Sequence, residues 1–293
     1  MTPVSAAQPP SRQTDGVAPI LCVGAAHWDW IARAETQPSP GNDLPGRVDR
    51  RPGGVALNIA LALADQGLRV ALRARIGGDA EGAALVETAA AAGIATDLVL
   101  RHPGPSDRYL AIEGPDGALF GAVADCRGVE ASGAALALGL DGGWRWLVID
   151  GNLSEAALAA LPAANLVLAA ASPAKAARLR PLAQAGARIY LNRDEAEALC
   201  EARFATAREA AMAVRQLGAT EAVVTDGAAP AAASGPDGLA VRAPAPAATR
   251  SLTGAGDRFL ATHLALRLAG TAPEAALAAA LAAATRHITR EAP

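Results

Sequence analysis

A Gly-Ala-Gly turn runs straight into a carboxylate at Gly254, Ala255, Gly256 and Asp257. The segment that follows is amphipathic: Leu260, Leu264 and Leu268 recur at helical spacing, while Arg258, Thr262 and Arg267 are expected to face outward. Small residues let a ligand approach the backbone closely. A helix start leaves N–H groups without intrahelical partners and carries the positive end of the dipole, so it favours anions, phosphate above all. A carboxylate in that first turn is placed to take a proton from an attacking hydroxyl. A phosphate cradle beside a base is the minimum needed to move a phosphoryl group onto an alcohol. The same residues also read as an ordinary glycine-rich turn with Asp257 as a capping group.

Positioning such a site requires strands whose polar ends converge. Ile20 to Gly24 is a short apolar run suited to a buried parallel strand. Asp29 lies just beyond it, where open α/β sheets bind ligands, and is a candidate for gripping hydroxyls. His27 and Trp28 read more readily as packing or surface groups. Gln37 to Pro52, rich in Pro, Gly and Asp, reads as an excursion from the core with short edge strands. Gly53 and Gly54 open a helix that stops at Gly67, and Asn58 is the lone amide in it. That Asn is either a tolerated half-buried amide or a donor and acceptor aimed at a polyol. Tyr109–Glu113 and Ala118–Val123, joined by Gly-Pro-Asp-Gly, predict a β-hairpin. Trp146–Asp150 is a strand tipped by Asn152, and Leu166–Ala170, Arg188–Leu191 and Glu221–Thr225 continue the βα alternation. Asn192 and Glu195 sit three apart at a helix start, either as an outer-shell magnesium site or as a capping box. A second hairpin is expected over Ala231–Ser234 and Leu239–Arg242, and a last helix over Pro273–Arg286. The alternation predicts a mostly parallel sheet with helices on both faces and its polar strand tips gathered at one rim.

Bulk composition narrows the classes. Hydrophobic residues are 52% of the 293 and charged residues 19%, enough for a sizeable core and against global disorder. A net charge of −3 gives no nucleic-acid footprint. Cys22, Cys126 and Cys200 are scattered, which suggests neither a disulfide framework nor a zinc site and fits a reducing cytoplasm. Residues 1–19 read as a loose tail, and no apolar run is long enough to span a bilayer.

Taken together, the motifs resemble the PfkB/ribokinase family of carbohydrate and nucleoside kinases. Gly53-Gly54-x-x-x-Asn58 with Ile76-Gly-Gly-Asp79-x-x-Gly82 resembles the family's first signature, and Thr253-Gly-Ala-Gly-Asp257 its second. Asn192-x-x-Glu195 is similar to its magnesium and phosphate motif, and Thr225-x-Gly227 to its nucleotide-loop strand. Within the family, the Tyr109 hairpin, Asp150-Gly-Asn152 and Ser172-Pro-x-Lys175-x-x-Arg178 resemble the pseudouridine kinase branch.

The resemblance implies a ribokinase-like domain over residues 20–293, with β-lid segments at about 31–52 and 105–126 and a homodimer formed through the lid. It implies transfer of the ATP γ-phosphate to the 5′-hydroxyl of pseudouridine, or of another nucleoside or free sugar. Asp257 would be the base, and Gly254, Ala255 and Gly256 the anion hole. Asp29, Gly53, Gly54, Asn58, Tyr109 and Asn152 would hold the acceptor. Asn192, Thr225, Gly227 and Thr253 would line the nucleotide site, with Glu195 on Mg2+ through water. Lid closure would exclude water.

Some positions depart from the family pattern. Ser251-Leu252 replaces an Asp-Thr pair, which leaves a monovalent-cation site open. Pro230 stands where a Gly is expected and alters the nucleotide loop. Arg258, directly after the base, would either touch phosphate or lower the basicity of Asp257. These departures also admit a non-catalytic binding homologue.

Overall fold

A computed structural model describes residues 19–140, 143–162, 164–247 and 253–289. Ser251, Leu252 and the predicted tail, except Pro19, lie outside the described residues. The strands are β1 (Ile20–Gly24), β2 (His27–Ala34), β3 (Gly46–Gly53), β4 (Val70–Gly77), β5 (Leu100–His102), β6 (Arg108–Glu113), β7 (Leu119–Asp125), β8 (Trp146–Asp150), β9 (Leu166–Ala169), β10 (Arg188–Asn192), β11 (Glu221–Asp226), β12 (Ala229–Gly235) and β13 (Gly238–Arg242). The longer helices are α1 (Val55–Ala64), α2 (Ala80–Ala91), α7 (Arg193–Cys200), α8 (Ala207–Gln216), α9 (Ala255–Leu268) and α10 (Pro273–Thr289). Between α2 and α7 come the short α3 (Arg127–Ala131), α4 (Glu155–Ala159), α5 (Pro173–Ala176) and α6 (Arg180–Gln184).

Nine strands form one sheet in the order β13-β12-β11-β10-β9-β8-β1-β4-β5. It is parallel from β11 to β5, and β12 and β13 close one side as an antiparallel hairpin. The buried strands are apolar runs because both faces are covered. Successive side chains alternate between two cores. Leu21, Val23, Leu147 and Ile149 pack with α4 and α7–α8, and Ile20, Cys22 and Val148 pack with α1, α9 and α10. From β1 the chain runs toward β4 on one side and, later, toward β8–β11 on the other. The order therefore reverses between β1 and β8, the place where open α/β sheets leave a crevice at the strands' C-terminal ends.

A second sheet, β3-β2-β6-β7, stands over that end; β2 and β6 are parallel and the outer pairs antiparallel. It begins at His27, not near residue 31, so Asp29 lies inside β2 and not on a free strand tip. One face carries the buried Asp29, Ile31, Ala111 and Glu113, with Glu113 paired to Arg33 at 2.8 Å. Val48, Leu110, Leu119, Phe120 and Val123 are exposed on this sheet.

At the opposite end of the large sheet, Glu221 is 3% exposed and is paired with Arg188 (2.7 Å) and Arg267 (3.4 Å). Arg267, expected to face outward, instead folds back onto Glu221 and Asp237. Removing one member of a buried ion cluster leaves the others' charge uncompensated. Glu221→Ala is therefore expected to cost about 3–5 kcal/mol, read as a lower urea midpoint at unchanged m-value. An unshifted midpoint would show that the cluster contributes nothing.

Candidate active site

Asp257 sits in the first turn of α9, whose N-terminus is set by Gly254 at φ 82°, a left-handed conformation that a side chain would strain. Its Oδ2 accepts a hydrogen bond from Asn58 Nδ2 at 2.9 Å. Burial is the main influence on the carboxyl and raises it from the ordinary 3.8 to about 7. The Asn58 hydrogen bond pulls the other way, and the negative charges of Asp150, Asp29 and Glu195 push it further up. Asp257 keeps some surface exposure because it opens onto a cleft, yet its carboxyl is deep enough for desolvation to dominate. A base half-deprotonated near neutrality suits proton removal from an alcohol. Arg258 takes no part in this: it turns away to pair with Asp65, just past the end of α1, at 2.6 Å. The expectation that it would touch phosphate or depress Asp257 is therefore corrected.

The cleft measures about 520 Å³ and lies between the two sheets. Asp29, Asn58 and Tyr109 line one part of it, and Asn152, Gly54, Gly254, Gly256 and Asp257 line its middle. Gly53, Ala255 and Gly227 are not among the lining residues. Gly53 acts instead by giving way: a Cβ there would lie 2.0 Å from Asp29 Oδ1. Gly54 is held at φ 93°, with Ala25 O where its Cβ would go, and this lets α1 start directly under the acceptor region.

His27 and Asp29 form a buried pair, Nδ1 to Oδ1 at 3.1 Å, whose angle is that of an ion pair rather than a hydrogen bond. Burial pulls the imidazole down, but Asp29 and the Cys126 side chain raise it on balance to about 10, so it is a cation at neutral pH. At the switch point, Asp150 is fully buried. Its Oδ2 accepts Ala25 N–H at 2.8 Å, and its Oδ1 accepts both the backbone and side-chain N–H groups of Asn152. Burial raises its carboxyl, opposed by those hydrogen bonds and by the charge of Lys175. Lys175 in turn donates to Asn152 Oδ1.

Asn192, Glu195, Thr225 and Thr253 line the same cleft. Asn192 and Glu195 form a capping box: each side chain accepts the other's backbone N–H at 2.8 Å. One Glu195 oxygen is thereby committed, and burial holds the carboxyl above the usual range. Among the described residues no three His, Cys, Asp or Glu side chains gather as a metal cage. A single cleft-facing carboxylate fits Mg2+ held mainly through water and phosphate. Pro230 lies early in β12, where the β11–β12 register slips between Val224 and Asp226. A residue without N–H cannot bond in the ladder, and the bulge falls beside Thr225.

Sequence reasoning gave no site role to His27, Cys126, Asp150 or Lys175. The available signals were the strand-end carboxylate at Asp150 and, for Lys175, its place in the Ser172-Pro-x-Lys175 resemblance. The others are brought in by packing between elements distant in sequence.

The profile of the pfkB family carbohydrate kinases matches residues 18–293. A carbohydrate kinase from Agrobacterium tumefaciens is 29% identical with a TM-score of 0.76, over 92% of this chain and 90% of that one. Ribokinase from Thermotoga maritima (20% identical, TM-score 0.76, 94% of each chain) shares the fold. So does Arabidopsis thaliana ribokinase complexed with ribose and ATP (19%, TM-score 0.77, 94% of each chain). Curated protein sequences give no significant match.

Proposed function

The chain belongs to the pfkB family of carbohydrate kinases, and from that premise we propose that it transfers the γ-phosphoryl group of ATP to the 5′-hydroxyl of a nucleoside, pseudouridine. The observation that carries the reading is Asp257, poised at about 7 at the glycine-capped start of α9 in a cleft it shares with Asp29 and Asn58. The Arabidopsis neighbour was solved with ribose and ATP, which supports a sugar and a triphosphate as the two ligands.

The acceptor's ribose hydroxyls lie against Asp29 and Asn58, with Tyr109 of the small sheet beside them. Asp257 takes the proton of the attacking hydroxyl. The N–H groups at the start of α9 stabilise the charge that develops on the transferred group. Thr225, Thr253 and Asn192 border the nucleotide, and Glu195 would hold Mg2+, which would supply neutralisation of phosphate charge. The small sheet serves as a lid that excludes water, and its exposed Leu110, Phe120 and Val123 form the contact surface of a homodimer. None of the described helices is long and apolar enough to cross a membrane, and Cys22, Cys126 and Cys200 are free thiols, in keeping with a cytoplasmic enzyme.

ATP consumption measured side by side with pseudouridine, uridine, adenosine, ribose and fructose tests the acceptor. Pseudouridine is expected to exceed uridine in kcat/KM by about tenfold, the value of one hydrogen bond to the base. A free sugar turned over as well or better would remove the nucleoside assignment and leave a sugar kinase.

A further inference from the structure

Of the 26 basic residues in the chain besides histidine, one is a lysine, Lys175. Every other such position is arginine, so arginine serves wherever the fold needs a surface cation or a carboxylate partner. The single ammonium stands in the cleft, and among the described residues lining that cavity it is the one Lys or Arg. Arg258 and Arg193 lie near the same end of the sheet but are committed to Asp65 and Asp226.

Lys175 is half-buried on α5, and its Nζ donates to Asn152 Oδ1. Asn152 is fixed in turn by two donations to Asp150 Oδ1, at 2.8 and 2.6 Å, and Asp150 is anchored to the backbone after β1 through Ala25. No other protein acceptor binds Lys175 among the described residues. An ammonium has three donors, so two remain for whatever enters the cleft. The cleft is otherwise acidic, with Asp29, Glu195 and Asp257 on its wall, and its other cation, His27, is taken by Asp29. An incoming polyphosphate meets Lys175 as its free positive partner. A compact ammonium on a thin stem concentrates its charge at one point, whereas a guanidinium spreads it over a wide planar fork.

We propose that Lys175 is a catalytic residue of the phosphoryl transfer, its ammonium contacting the phosphate oxygens as the group passes from ATP to the acceptor, with Asn152 and Asp150 as its positioning residues. The proposal rests on reading this cleft as the transfer site. In that step the acceptor oxygen bonds to phosphorus, the bond to the bridging oxygen breaks with its electron pair leaving on ADP, and the hydroxyl proton passes to Asp257. Lys175 keeps its protons throughout and supplies charge alone.

A lone lysine makes the test direct. Acetylation with an N-hydroxysuccinimide ester, followed by mass spectrometry, has two amine targets: Lys175 and the terminal α-amine, which serves as the reference. A non-hydrolysable ATP analogue with Mg2+, at ten times its Kd, is expected to slow Lys175 labelling about tenfold; pseudouridine alone should leave it unchanged. Equal labelling with the analogue bound, its occupancy shown by calorimetry, overturns the proposal. Protection by the nucleoside alone also overturns it and moves Lys175 to the acceptor. Protection by the analogue does not depend on which acceptor is used, so a wrong acceptor assignment shows separately in the substrate panel.

In kinetics, Lys175→Met is expected to lower kcat about 10²–10³-fold, as for loss of one preorganised donor, at little change in the acceptor's KM. Lys175→Arg should restore part of that loss, and a loss confined to KM would contradict the role. Should Lys175→Met fail to fold, the labelling arm on the unaltered protein still decides.

Discussion

Replacing Asp257 with Asn is expected to lower the rate of phosphoryl transfer about 10²–10⁴-fold, the usual scale for a general base. The fold should survive, because an Asn amide still meets Asn58. The pH profile follows from the raised carboxyl. The working form is the deprotonated one, so kcat/KM should climb as pH rises toward about 7 and level off above it. Stability runs the other way. The folded-state value lies above the ordinary 3.8, so between those values the native state holds a proton that the unfolded chain has lost. That contribution is present at low pH and is lost as pH rises through about 7. Asp257→Asn removes the burden of a buried charge, so its melting temperature should exceed that of the unaltered protein at alkaline pH. Near-normal turnover, or a rate that is flat across neutrality, would take Asp257 out of the base's role. An Asp257→Asn melting temperature no higher than that of the unaltered protein at alkaline pH would show that the carboxylate is not held at a cost.

Gly53→Ala is the second large effect. Gly53 ends β3 opposite His27, with the Asp29 side chain reaching over it, so an added methyl would lie 2.0 Å from Oδ1, 2.3 Å from Cγ and 2.6 Å from Oδ2. Ordinary contact begins at about 3.4 Å, so the carboxylate must move by more than an ångström. Its partner His27 is 7% exposed and leaves it little room to move. A shift of that size in a substrate-positioning group costs about 10²-fold in rate. The loss should appear in kcat/KM for the acceptor, with ATP affinity unchanged in calorimetry, because Gly53 is remote from the Asn192 and Thr225 end. Equal losses for both ligands would show that the substitution disturbs the fold instead of the acceptor grip.

The large sheet was legible because its strands are short apolar runs separated by glycine-punctuated helices, and hydrophobic runs report burial on two faces without help from distant residues. Trp146–Asp150 and the β12–β13 hairpin came directly from that pattern. The small sheet was harder. β3 reads Gly-Arg-Val-Asp-Arg-Arg-Pro-Gly, so polar that only a short edge strand was expected there, and it runs eight residues because β2 gives it a partner along its whole length. Asn152, Asn192 and Thr225 share one cleft because parallel strands end on the same side, whereas Asp29 reaches it from within β2 and Asn58 and Asp257 from the first turns of α1 and α9. The role of Gly53 as clearance, the turning of Arg258 to Asp65 and the engagement of Lys175 by Asn152 depend on angles between elements, which no local pattern records.

The borders of the two sheets differ in how they meet solvent. The large sheet stops at β5, three residues long, on one side and at β13, packed beside α10, on the other. Neither offers a foreign chain a long ladder to extend. In the small sheet, β3 carries Arg47, Asp49, Arg50 and Arg51, charges that discourage strand addition, whereas β7 presents Leu119, Phe120 and Val123 with its first charge at Asp125. Misassembly during concentration or heating should therefore start at β7, and a lysine placed at Val123 would act as a gatekeeper against fibrillar growth.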